Sequence, residues 1–170
     1  KDGGKTWKNM GLKTSEHISK IIIHPKKSNI IWVASQGPLW SQGGERGVFK
    51  SIDGGETWTQ KLGDEEWIGA TDLIIDPRNN KLLYAATWQR HRTVAGYLGG
   101  GPGTAIYKSK DGGDNWEKLT NGLPKSNMGK IGLTIAPQNP DIIYAAIELD
   151  RRKGGVFKST NKGSDWEKMS

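Results

Sequence analysis

Trp40, Trp67, Trp88 and Tyr97 lie in irregular stretches that also hold Arg46, Arg90, His91 and Arg92, and a further stretch carries Arg151 and Arg152. The aromatic rings offer flat apolar faces for stacking on sugars or peptide side chains. Guanidinium groups pair bidentately with carboxylate, sulfate or phosphate. These ten residues are the candidate ligand contacts. A second chemistry is open to Glu16, Asp64, Glu65, Glu66, Asp72, Glu148 and Asp150. Glycoside hydrolysis needs two carboxylates about 5–10 Å apart in a cleft, and only the fold decides which of these converge.

Other chemistries are excluded or disfavoured. There is no cysteine, so disulfides and thiolate metal sites are out, and His17, His24 and His91 show no metal-ligand spacing. No metal or cofactor is expected. Asp53 and Asp111 lack the late Glu of a calcium loop and read as structural turn residues. The run Gly99-Gly100-Gly101-Pro102-Gly103 opens no helix and reads as a flexible loop; neither a Gly-x-x-x-x-Gly-Lys-Ser/Thr string nor a Gly-x-Ser-x-Gly elbow occurs. Twenty-five Lys and Arg against 18 Asp and Glu give a net charge of +7. Many of the lysines sit at expected strand edges (Lys50, Lys108, Lys118, Lys158, Lys168), and no recognition helix accompanies them. Nucleic acid is therefore disfavoured as a partner, whereas an anionic glycan or protein surface suits the field. No stretch approaches the ~20 apolar residues of a membrane-spanning helix, so no membrane insertion is expected.

The elements that position these residues come from a repeat. Asp2-Gly3-Gly4-Lys5-Thr6-Trp7 returns three times with a leading Ser. One copy holds Ser51, Asp53, Gly55, Thr57 and Trp58, the next Ser109, Asp111, Gly113 and Trp116, and a worn one Ser159, Asn161, Gly163 and Trp166. The acidic or amide side chain accepts backbone N–H groups two or three residues on, and paired glycines supply positive φ, so each copy is a hairpin turn. Two strand-like runs precede each of the last three turns. They are Ile18–Ile23 with Ile30–Ala34, Thr71–Ile75 with Leu82–Ala86, and Ile131–Ile135 with Ile142–Ala146, each pair split at Pro25, Pro77 or Pro137. Four antiparallel strands in about 50 residues, called a to d, with no helical period, predict an all-β fold of propeller blades. The division is 1–10 for a partial blade holding one turn and an outer strand, then 11–63, 64–121 and 122–170. Three whole blades are fewer than the ~4–8 that close a ring. Remaining blades in the same chain are expected to complete it, with a second copy as the alternative.

The Ser-x-Asp-x-Gly-x-Thr-Trp motif resembles the Asp-box, or bacterial neuraminidase repeat, and the whole pattern is similar to sortilin-like (VPS10-type) bacterial β-propellers. That resemblance implies an exported protein, secreted, periplasmic or on the cell surface. Asp-boxes also occur in sialidases, xyloglucan-type glycoside hydrolases and photosystem II assembly propellers, so an architecture is implied rather than an activity. The Phe/Tyr-Arg-Ile-Pro motif of sialidases is absent.

Spacing separates scaffold from site. Proline to strand-b aromatic is 7 residues in each blade (25 to 32, 77 to 84, 137 to 144), and box Ser to box Trp is also 7 (51 to 58, 109 to 116, 159 to 166). Aromatic to box Ser varies instead as 19, 25 and 15 (32 to 51, 84 to 109, 144 to 159). Because successive strands reverse, the fixed a–b and c–d turns share one end of each blade and the variable b–c and d–a loops share the other. All ten candidates fall at the variable end, where binding is usually placed. The reading favours a non-catalytic module that binds glycan or protein there, with a glycoside hydrolase as the alternative.

Overall fold

The computed structural model describes residues 2–170, apart from the side chain of Arg152. Its strands run β1 (Ile18–Ile23), β2 (Ile31–Ser35), β3 (Gly47–Ser51), β4 (Thr59–Leu62), β5 (Ile68–Asp76), β6 (Asn79–Gln89), β7 (His91–Arg92), β8 (Tyr97–Leu98), β9 (Ile106–Ser109) and β10 (Glu117–Leu119). After these come β11 (Ile131–Ile135), β12 (Ile143–Ile147), a short 3₁₀ turn at Asp150–Arg152, β13 (Gly155–Ser159) and β14 (Glu167–Lys168). Three four-stranded antiparallel sheets result: β1-β2-β3-β4, β5-β6-β9-β10 and β11-β12-β13-β14, here blades I, II and III. The fold is a partial β-propeller. The Asp2 turn is present, with Oδ1 accepting the N–H groups of Gly4 and Lys5, but no strand forms in residues 8–10, contrary to expectation.

Each box turn is closed by its own side chains. Ser51 Oγ donates to Asp53 Oδ1 at 2.7 Å and accepts the Gly55 N–H at 2.8 Å, while Asp53 accepts the Thr57 N–H at 2.9 Å and its hydroxyl at 2.5 Å. Ser109 with Asp111, and Ser159 with Asn161, repeat the pattern. Each box turn also bonds the a–b turn of its blade: Gly54 to Asn29, Gly112 to Lys81 and Lys162 to Asp141. Fixed turns thus share one end of every blade. At the other end Gln36 N–H bonds His17, Gly43 bonds Glu66 and Arg90 bonds Trp67, which joins the b–c and d–a loops.

Apolar packing is placed between blades rather than within one central core. Trp32, Ala34 and Val48 of blade I cluster with Leu73, Leu83 and Ala85 of blade II, and Tyr84, Ala86 and Ile106 of blade II cluster with Ile131 and Leu133 of blade III. The inner strands are also linked by hydroxyls at bulges: Ser19 Oγ donates to the Ala70 carbonyl, and Thr71 Oγ1 to that of Ile131. Blade II is therefore held on both sides.

Candidate functional site

The first b–c loop, residues 36–46, is wound around Arg46. Its guanidinium donates to the carbonyls of Gly43 at 2.7 Å, Gln36 at 2.8 Å, Pro38 at 2.6 Å and Ser41 at 2.5 Å. Gly37 packs so closely on it, at φ +74°, that a Cβ there would lie 2.2 Å from Arg46 Cγ. Arg90 Nη2 donates to the same Pro38 carbonyl at 3.2 Å, bringing the loops of blades I and II together. Burial, then the nearby Arg90 charge, pull the Arg46 guanidinium below its ordinary pKa, with Glu16 opposing. Both arginines are buried and committed to carbonyls. They hold the loops in shape, where the expectation set them against ligand.

Trp88 is likewise turned inward: it is buried, its Nε1 donates to the Gly99 carbonyl at 2.9 Å, and Arg90 lies 5.0 Å from its ring. The expected flexible glycine loop is in fact packed. Gly101 bridges to Met128, Gly103 N–H bonds Gln89 Oε1, and a Cβ on Gly100 would lie 2.4 Å from the Met128 carbonyl oxygen. Those glycines serve close approach.

What the loops present outward is a compact group. Strand β6 runs on past its pairing with β9 to Gln89, still paired with β5, and β7 and β8 then form a two-stranded ribbon closed by Thr93 N–H on the Gly96 carbonyl. The Arg92 guanidinium carbon lies 4.5 Å from the Trp40 ring and 5.7 Å from the Tyr97 ring, so one cation serves two aromatic faces. His91 sits against Trp67 with ring centroids 3.9 Å apart. Trp40 is 57% exposed and Tyr97 60%. Five candidates from three loops, Trp40, Trp67, His91, Arg92 and Tyr97, are thereby brought together. Arg151 stands on blade III, 3.6 Å from Asp150, and the side chain of Arg152 lies outside the described residues. Sequence reasoning missed the ribbon itself and its exposed Val94 and Leu98, because two-residue strands carry no readable period.

The carboxylates are distributed differently. Asp72 Oδ1 accepts the Leu73 N–H and Oδ2 the Leu133 N–H, both at 2.8 Å, and Glu148 Oε2 accepts the Lys130 N–H at 3.1 Å. These two line one open cavity of about 610 Å³ with Thr71 and Lys130. A larger cavity of about 720 Å³, between Gly101–Thr104 and residues 118–128, carries Lys118 and Lys125 but no carboxylate. Among the described residues no group of three or more His, Asp or Glu is placed to hold a metal ion.

Blades of this kind, with loops gathered at one end, define the class: a partial β-propeller. Known proteins agree on that fold. A GH74 xyloglucanase from Xanthomonas campestris superimposes with a TM-score of 0.68 at 14% identity, over 90% of this chain and 21% of that one. YCF48 from Cyanidioschyzon merolae superimposes with a TM-score of 0.58 at 18% identity, over 95% and 42%. In sequence, a probable oligoxyloglucan-reducing end-specific xyloglucanase from Neosartorya fischeri is 27% identical over 104 residues, 59% of this chain and 10% of that protein. No protein-family model matches the chain. The chain thus spans about a tenth of its curated relative and about a fifth of the solved xyloglucanase.

Proposed function

We propose that this chain is the glycan-binding part of an exported Asp-box propeller of sortilin-like organisation, and that the part itself is non-catalytic. One observation carries the reading: Trp40, Arg92 and Tyr97 form an exposed aromatic–guanidinium group, with Trp67 and His91 beside it, on loops locked by Arg46 and Arg90. Pyranose C–H faces pack on such rings while guanidinium N–H groups bond hydroxyl or carboxylate oxygens. A preformed surface loses little loop entropy when a ligand docks. The likeness to a xyloglucanase favours a glycan over a protein ligand.

Hydrolysis is the second reading, favoured by the likeness to a probable xyloglucanase and by Asp72 and Glu148 lining one cavity. Both carboxylates are already engaged with backbone N–H groups, which suits a structural part better than acid–base work.

Calorimetry of the 170-residue chain with xyloglucan oligosaccharides and with an anionic glycan tests the proposal. Trp40→Ala and Arg92→Ala each weaken binding about 10-fold or more, equivalent to about 1.4 kcal/mol, with unchanged melting. No binding across the panel, or equal affinity in both variants, refutes it. Release of new reducing ends, lost in Asp72→Asn, selects hydrolysis instead.

A further inference from the structure

Both blade junctions are closed by the same positions. At the first, Trp32 Nε1 donates to the Gly112 carbonyl at 3.0 Å and Lys50 Nζ reaches Asp114 at 3.0 Å. At the second, Tyr84 Oη donates to the Lys162 carbonyl at 2.9 Å, and Lys108 Nζ to the same oxygen at 2.6 Å. Gly112 and Lys162 hold the same place in their boxes, each the residue after the Asp or Asn, and each has positive φ, +82° and +59°. Beneath these polar links lie the apolar partners, Ala34 and Val48 against Leu73, and Ala86 and Ile106 against Leu133.

Blade III repeats the donor side of this junction. Tyr144 pairs with Lys158 and Ala146 with Val156 in the register that joins Trp32 to Lys50 and Ala34 to Val48. Lys158 Nζ stands 5.9 Å from the Tyr144 ring, as Lys50 and Lys108 stand over their own aromatics at 6.0 and 5.7 Å. Among the described residues nothing receives these groups. Val156 is 39% exposed where Val48 and Ile106 are fully buried. The inner hydroxyl link is not repeated, since Ile131 stands where Ser19 and Thr71 carry theirs. Attachment here rests on the phenol, the ammonium and the small apolar patch.

We infer that this face seats one further blade, continued from the same polypeptide, whose box turn turns the carbonyl of its second residue towards Tyr144. The chemistry of that turn is specified: Asp or Asn, any residue, then Gly. Its third position must be glycine, because a Cβ on Gly113 would lie 2.7 Å from Trp32 Nε1 and one on Gly163 3.2 Å from Tyr84. Its first strand must offer an apolar side chain as Leu73 and Leu133 do. Continuation of the chain is favoured over a second copy because the existing junctions are crossed by linkers, residues 63–67 and 120–130. The second linker takes part in the joint, with the Trp166 N–H bonded to the Asn121 carbonyl at 3.2 Å. A separate copy would bring no such linker. This inference is independent of what the loop face binds.

The test lengthens the chain after Ser170 by a second run of residues 120–170, which supplies the Asn161-Lys162-Gly163 turn. The lengthened chain unfolds in urea with a higher midpoint than the 170-residue chain. Tyr144→Phe and Lys158→Ala each lower that midpoint and leave the 170-residue chain unchanged. Under native conditions the added repeat resists trypsin, and Val156→Lys makes it cleavable. Equal cleavage with and without Val156→Lys, or a midpoint indifferent to Tyr144→Phe, overturns the inference. A 170-residue chain that sediments as a dimer, dissociated by Val156→Lys, also overturns it and assigns the face to a second copy.

Discussion

Arg46, at 2% exposure, is a buried cation with no carboxylate partner among the described residues, held by four carbonyl oxygens, of which that of Pro38 also accepts from Arg90. Arg46→Met keeps much of the volume and leaves the Gly43, Gln36 and Ser41 carbonyls without that donor, so it costs about 2–4 kcal/mol of stability by urea unfolding. Trp40 loses its fixed position in the same variant, which a rise in its accessibility to acrylamide quenching reports. The box acids offer a second check at this scale. Hydrogen bonds from the Thr57 hydroxyl, then the Thr57 N–H, then the Ser51 hydroxyl hold the Asp53 carboxyl down at about 2, below its ordinary 3.8. A depressed carboxylate contributes stability that is fully present above 3.8 and is lost as pH falls towards 2. Asp53→Asn therefore flattens the fall in urea midpoint between pH 4 and pH 2 while the protein stays folded at pH 7. The third box already works with an amide: Asn161 donates to Asp165, the donor and acceptor being exchanged relative to Asp53 and Thr57. These turn residues were legible in the sequence, because a side chain bonding its own neighbours leaves a fixed local spacing. Arg46 and Arg90 were not, because a loop arginine folded inward and one turned to solvent have the same sequence.

Blade strands were likewise readable from alternation and from the constant seven-residue spacings, whereas the β7–β8 ribbon and the packing of Gly99–Gly103 depend on contacts far along the chain. Met128, for example, meets Gly101 only once blade III has docked. Junctions between blades show how sequence constants arise from tertiary contact. Gly54 and Gly113 both have positive φ, +79° and +81°, but a Cβ on Gly54 meets nothing within 4 Å while one on Gly113 meets Trp32 at 2.7 Å. Gly54→Ala then carries the backbone cost alone, about 1 kcal/mol, and Gly113→Ala adds a clash that separates blades I and II, for about 2–4 kcal/mol in all. Tyr84→Phe, which leaves the Lys162 carbonyl without its phenol donor, costs about 1 kcal/mol. Equal costs for the two glycines in urea unfolding would show that backbone conformation, not the junction, selects glycine there.

At the scale of the whole molecule, three blades joined in a row make stability a sum of blade terms and two junction terms. Blade III is open on its trailing side, and the leading side of blade I is covered in part by Leu12, which packs on Val33 and Phe49. Ile21 is 58% exposed at the leading face although its counterparts Leu73 and Leu133 are buried, and β14 is paired over only two positions. Blade II lacks any such open face: Leu73 and Leu83 are covered by blade I, and Tyr84, Ala86 and Ile106 by blade III. Amide hydrogen exchange followed by mass spectrometry should therefore rank the blades, since exchange in the native state reports the free energy of the smallest opening that frees each amide. The slowest amides are expected in β5 and β6, with β1 to β4 and β11 to β14 exchanging earlier because each end blade can open by losing one junction. Gly113→Ala sharpens the comparison. It weakens only the first junction, so blade I exchanges faster while blade III keeps its rates. Uniform acceleration across all three blades would mean that the chain opens as one cooperative unit, and the nearest-neighbour description would then have to be abandoned.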